Sequence, residues 1–256
     1  MNDLLADLVA EQDALDRAIA GVPSDRWDTP SPADGWLLRD CVAHLAEMDD
    51  LAAYVATHRA FPEGRGERRD PILSNGQLDA RTMTPDALIA WWREARQRLA
   101  QSLDGVDPKT RLPWAGPDMS ARSFATARLM EAWSHGLDIL DASGRTKPDS
   151  DRLRHVAHIG YATREFAYRN RGLPPPESPL YVELRSPSGA TWTWGPDDAP
   201  DRISGEAGEF CRVVTQRIHW QDTALKAEGP AAQEFLAVAQ AFAGPPGRGR
   251  APKAAS

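Results

Sequence analysis

Hydrophobic and polar positions along roughly the first 145 residues repeat with a helical rather than a strand period. MNDLLADLVAEQDALDRAIAG alternates acids with aliphatics at spacings of three and four, which predicts a first helix over about 3–20, ended by Gly21 and Pro23. The same period predicts a second helix over about 37–60. A third begins after Thr84-Pro85-Asp86, where a capping hydroxyl precedes a proline in the first turn, and continues through LIAWWREARQRLAQSL. A fourth covers about 121–142 and closes at Gly144, a glycine suited to a left-handed C-cap. Four helices joined by moderate loops predict a bundle.

Beyond Gly144 the pattern changes. One more helical stretch, SDRLRHVAHIGYATREFAYRNRG, precedes a proline break at LPPPESP. LYVELRS and TWTWG then alternate with the strand period on either side of Ser188-Gly189, so a hairpin is predicted. GEAGEFCRVVTQRI reads as a helix, TALKAEG as a strand and AAQEFLAVAQAFAG as a last helix ended by Gly244-Pro245-Pro246. The expected fold class is α+β: a helical bundle over 1–145, a small α+β domain over 146–246, and a basic, flexible tail over 247–256.

Composition narrows the functional classes. At 256 residues, 41% hydrophobic and 26% charged, the chain has the balance of a soluble globular protein. Its apolar runs fall short of the roughly 18–20 residues that span a bilayer, and the N-terminus lacks a basic segment followed by an apolar one, so a cytoplasmic protein without a membrane anchor is expected. A net charge of -7 works against binding a phosphate backbone, which excludes nucleic acid as the expected partner. Cys41 and Cys211 are far apart and in no CxxC arrangement, so any metal must be held by imidazole and carboxylate. Six of the nine tryptophans lie before residue 145 and read as aromatic core between helices.

The stretch EAWSHGLDIL carries the candidate chemistry. On a helix Glu131, His135 and Asp138 fall within about 60° of one another, Arg128 joins them a turn earlier, and Leu129, Met130, Trp133, Leu137 and Leu140 gather on the opposite side. Alone, such a stripe reads as a solvated face. His44, in RDCVAHLAEMDD, changes that reading, because it lies in an apolar stripe with Cys41, Met48, Leu51 and Val55. A histidine there is either a hydrogen-bonded core residue or a ligand, and bundles build metal sites from inward-facing carboxylate and imidazole on neighbouring helices. His44, Glu131 and His135 form a three-ligand set suited to Zn2+, or less selectively to Ni2+, Fe2+, Co2+ or Mn2+, with a position left open for water or substrate. Asp138 is either a further ligand or, as preferred here, the acceptor for a ligating histidine's second nitrogen. Arg128 either pairs with Asp138 or attracts an anionic substrate or cofactor. His155 and His158 share a helical face without a matching carboxylate and read as polar lining, while His58 ends its helix.

These motifs resemble the mycothiol-dependent maleylpyruvate isomerase family, whose N-terminal half is a DinB-like four-helix bundle. Trp27, Gly35-Trp36 and RDCVAHL match its N-terminal pattern, EAWSHGLDILDASG its fourth-helix pattern, and, more loosely, TWTWG and CRVVTQRIHW its smaller α/β domain. The resemblance implies that His44, Glu131 and His135 hold a divalent metal. It also implies an active-site arginine in the C-terminal domain, for which Arg217 is favoured over Arg212. Leu37 departs from the pattern, standing where relatives often carry a Ser or Thr cap. The expected function is a metal-dependent enzyme in which a low-molecular-weight thiol, mycothiol, attacks a small electrophile by isomerisation, conjugation or thiol exchange, the C-terminal domain covering the site. The alternatives are a thiol-independent metal hydrolase, with Asp138 as base, and a non-catalytic metal- or ligand-binding protein. The chain is expected to be a monomer or homodimer.

Overall fold

The helical periods of the first half become helices in the computed structural model, which describes residues 1–63, 70, 72–114, 118–247 and 249–253. They are α1 (Asn2–Ile19), α2 (Leu38–His58), α3 (Asn75–Ala80), α4 (Pro85–Leu103) and α5 (Ala121–Ser143), with β1 (Arg111–Leu112) and β2 (Met119–Ser120) forming a short antiparallel ladder ahead of α5. The ends follow local chemistry. Thr84 Oγ1 accepts from the Ala87 amide at 3.3 Å, and Gly144 takes a left-handed φ of 69° as α5 ends. The short α3, absent from the expectation, is nucleated by a full capping box: Ser74 Oγ accepts from Gln77 N at 3.1 Å, and Gln77 Oε1 accepts from Ser74 N at 2.8 Å.

The chain divides into two units, Met1–Lys147 and Pro148–Ser256. In the first, α2 packs against α4 and α5, and α1 against α5. Trp27 and Trp92 are buried among Leu15, Leu38, Val42, Leu88 and Ile139, and Trp133 is buried as well, as the aromatic-core reading expects. Each such side chain contributes about 1.5–3 kcal/mol by leaving water. Polar pins fix the start of α2. Asp40, buried, accepts from the Leu37 amide at 2.8 Å and pairs with Arg81 at 2.7 Å. The cap that Leu37 cannot supply as a side chain is thus partly replaced by Asp40 reaching back. Arg39 donates to the Ala80, Arg81 and Met83 carbonyls where α3 ends, and pairs with Asp28 at 2.7 Å.

The second unit holds α6 (Leu153–Ala162), α7 (Arg164–Asn170), β3 (Leu180–Arg185), β4 (Thr191–Trp194), β5 (Asp201–Glu206), α8 (Ala207–Val214), β6 (Lys226–Glu228) and α9 (Pro230–Val238). The sheet order is β4-β3-β5-β6. β3 and β4 form the expected hairpin, with Val182 opposite Trp194 and Gly189 at φ 88° in the turn. Three expectations are corrected. The stretch over 150–172 divides at Thr163, whose hydroxyl donates to the Ile159 carbonyl at 2.8 Å. β5 is parallel to β3, and α8 begins only after it, at Ala207. The last helix stops at Val238, because Ala239 and Ala241 turn back: the Ala239 carbonyl accepts from Gln216 Nε2 at 3.1 Å and the Ala241 amide donates to Val214 O at 2.8 Å. Of the expected tail, Arg248 and residues 254–256 lie outside the described residues.

Candidate metal centre

The packing of α2 on α5 brings His44 to Glu131 and His135. His44 Nε2 lies 3.6 Å from Glu131 Oε2, and His135 Nε2 lies 3.3 Å from the same oxygen. One donor atom from each of the three residues falls within 4.8 Å of the other two. Donors bonded at about 2.1 Å in a tetrahedral shell sit about 3.4 Å apart, so the spacing fits a divalent ion of zinc size. The three side chains retain 21%, 18% and 12% of their exposure, which leaves one side of the cluster reachable from solvent.

Asp138 stands behind the cluster. Its side chain is 2% exposed, and its Oδ2 lies 3.2 Å from His135 Nδ1, which places the His135 proton on Nδ1 and turns Nε2 toward Glu131. Cys41, fully buried, makes a second close group with His135 and Asp138. Burial pushes the His44 imidazole below its ordinary value, outweighing the hydrogen bond that Glu131 accepts from it, so the ring is kept neutral and available as a ligand. Burial alone would raise the Glu131 carboxyl, but the His135 and His44 imidazoles beside it hold it well below the usual carboxylate range. A neutral imidazole and an ionised carboxylate are the forms that bind metal.

Trp36 completes the site; the sequence shows it as a core aromatic within a Gly35-Trp36 motif, and the structure adds its contact with the cluster. Its ring stacks on His135 at 5.5 Å and 18°, and meets His44 at 5.1 Å and 50°; the two imidazoles meet each other at 4.7 Å. The signal was an aromatic just ahead of the helix that carries a candidate ligand.

Arg128 is placed otherwise than expected. Its guanidinium, 4% exposed, is engaged by Asp49 on α2, with Nε at 3.0 Å and Nη2 at 2.9 Å from Oδ1, while Gln12 on α1 donates to Asp49 Oδ2 at 3.1 Å. Pairing with Asp138 is precluded by distance, since ten helical residues separate the two by about 15 Å along the axis. Its charge is committed to an interior ion pair rather than offered to an anion. Arg217 lies in the second unit, immediately after α8. Gln216 adopts a left-handed φ of 61° there, the Arg217 amide returns to the Arg212 carbonyl at 2.7 Å, and the Arg217 guanidinium donates to the Thr215 carbonyl at 2.6 Å. Arg212 pairs with Asp149 at 2.7 Å. His155 and His158 are on α6, where His158 Nδ1 accepts from Trp194 Nε1 at 3.3 Å. His58, at the end of α2, packs on Tyr54.

Fold and site together define an α+β protein whose helical unit presents a His-Glu-His donor set. Within that class, the chain belongs to the mycothiol maleylpyruvate isomerase family: residues 8–140 match the family's N-terminal domain model. Residues 176–228 match a model described as wyosine base formation. Two uncharacterized proteins of Mycobacterium tuberculosis, from strains CDC 1551 and H37Rv, are each 45% identical over 250 residues, spanning 96% of this chain and 97% of the relative. The crystal structure of a mycothiol-dependent maleylpyruvate isomerase shares the fold at a TM-score of 0.58 and 18% identity, covering 90% of this chain and 95% of that one. A histidine-to-alanine variant of a mycothiol-dependent maleylpyruvate isomerase superposes at 0.56, with the same identity and coverage. Among the described residues no helix is long and apolar enough to cross a membrane.

Proposed function

We propose that this chain is a divalent-metal-dependent enzyme that uses a low-molecular-weight thiol, mycothiol, to attack a small electrophile in an isomerisation, conjugation or thiol exchange. The observation that carries the reading is the convergence of His44, Glu131 and His135 within 4.8 Å in a cluster still reachable from solvent, in a chain of this family. When bound, a divalent ion, zinc by the donor set, supplies a Lewis acid that favours the deprotonated form of a thiol at neutral pH. His44, Glu131 and His135 hold it. Asp138 keeps the His135 proton on Nδ1 and so keeps Nε2 free to bind. Arg217 is the residue through which a carboxylate of substrate or thiol is recognised.

Charge supports small molecules as partners over RNA, despite the second family match. Residues 176–228 carry nine carboxylates against five lysines and arginines, the wrong balance for a phosphate backbone. The test is to incubate zinc-loaded protein with mycothiol and a panel of small electrophiles, following thiol adducts by mass spectrometry. Adduct formation or isomerised product that depends on both thiol and metal is expected. Metal-dependent turnover indifferent to thiol would favour the hydrolase instead, and no turnover with any electrophile would remove the thiol-transfer reading.

A further inference from the structure

A ligating histidine ordinarily has its ring fixed by a hydrogen bond from its second nitrogen, because rotation about the bond to an imidazole is otherwise broad. His135 has that partner in Asp138. His44 does not: among the described residues its polar contact is with Glu131, on the Nε2 side, and Nδ1 meets no protein acceptor. What borders the His44 ring instead is aromatic, Trp36 at 5.1 Å and His135 at 4.7 Å.

Trp36 is itself held firmly. The Ser31 amide donates to the Trp36 carbonyl at 2.8 Å, the Trp36 amide to Ala33 O at 3.0 Å, and the Leu38 amide to Thr29 O at 2.9 Å. Gly35 enters the turn at φ 77°, and an added Cβ would stand 3.0 Å from Ile72 Cγ2, so backbone conformation and space both favour glycine before the indole. Leu37 is in turn tied to Asp40. The backbone that carries the indole is therefore fixed relative to α2, and the indole itself packs against the bundle core. Its near-parallel stacking covers the face of His135 and leaves free the ring plane, where the Nε2 lone pair lies.

We propose that Trp36 is a positioning residue of the metal centre, a rigid aromatic wall that sets the ring orientation of His44 in place of a hydrogen bond to its second nitrogen, and supports His135 from its face. The proposal rests on the metal reading above and adds the residue that preorganises it. It is tested by measuring zinc affinity by chelator competition, and the visible absorption of the cobalt-substituted protein, for wild type, Trp36→Phe, Trp36→Leu and Trp36→Ala, with thermal unfolding of each metal-free protein as the check on folding. Trp36→Phe, which keeps a planar face, is expected to bind within a few-fold of wild type with an unchanged cobalt spectrum. Trp36→Leu and Trp36→Ala are expected to bind about 10- to 100-fold more weakly, the range for loss of a ligand-orienting group, with an altered cobalt band. Should the alanine variant fail to fold, the leucine variant, which retains apolar bulk without a planar face, decides. Wild-type affinity and spectrum in Trp36→Leu would overturn the proposal while leaving the metal reading intact; absence of metal binding by wild type would remove both.

Discussion

His44 shows how far a single residue was legible. Its type and helical face made it a candidate, but the sequence left it open as a core histidine. What the sequence does not show is that Glu131 and His135 face it from α5. Its environment makes a measurable prediction. Because burial lowers the His44 pKa below the ordinary 6.5, the unfolded chain binds a proton there that the folded chain resists, so protons favour unfolding. Glu131, held well below 4.5, has the same sign, its contribution being present above 4.5 and lost as pH falls through its folded value. Metal-free protein should therefore lose stability as pH drops through the imidazole range and again in the carboxylate range, followed by urea unfolding at a series of pH values. A His44→Gln variant should lose the first of these dependences; an unchanged slope there would contradict the assignment. The sequence marks Trp36 only as a core aromatic and gives Arg39 no role, since both act through a turn whose hydrogen bonds a periodic pattern does not encode.

At the scale of elements, the four long helices were readable because each combines a 3.6-residue apolar stripe with a chemical stop. β5 was not: in DRISGE only Ile203 is a large apolar residue, and what makes the segment a strand is pairing to β3 along its length. Arg128 illustrates a different limit. Helical spacing gives an angle around one axis, and it grouped Arg128 with Asp138, but the true partner, Asp49, comes from α2. That pair ties α2 to α5, the two helices that carry the His-Glu-His cluster, with Gln12 joining from α1. Burial alone pushes the Asp49 carboxyl up, with Arg128 the main opposing influence. Asp49→Ala strands an interior guanidinium and should destabilise the protein by about 3–5 kcal/mol, as seen by denaturant unfolding. A loss below about 1 kcal/mol, the range of a surface pair, would show that the ion pair is not part of the interior scaffold.

At the scale of the molecule, the α+β class follows from the change from helical stripes to strand alternation after the proline cluster at 173–179, whereas the division near residue 147 falls earlier, just after Gly144 closes the fourth helix. The three ligand candidates all belong to the first unit, the one matched by the isomerase N-terminal domain model, whereas Arg217 belongs to the second. The chemistry turns first on whether the His-Glu-His cluster holds a metal. The direct measurement is the metal content and affinity of purified wild-type protein and of His44→Ala, both checked for folding by circular dichroism. The account predicts about one divalent ion per wild-type chain, with zinc preferred over magnesium or calcium, and loss of stoichiometric binding in folded His44→Ala. Equal metal stoichiometry and affinity in the two proteins would contradict it.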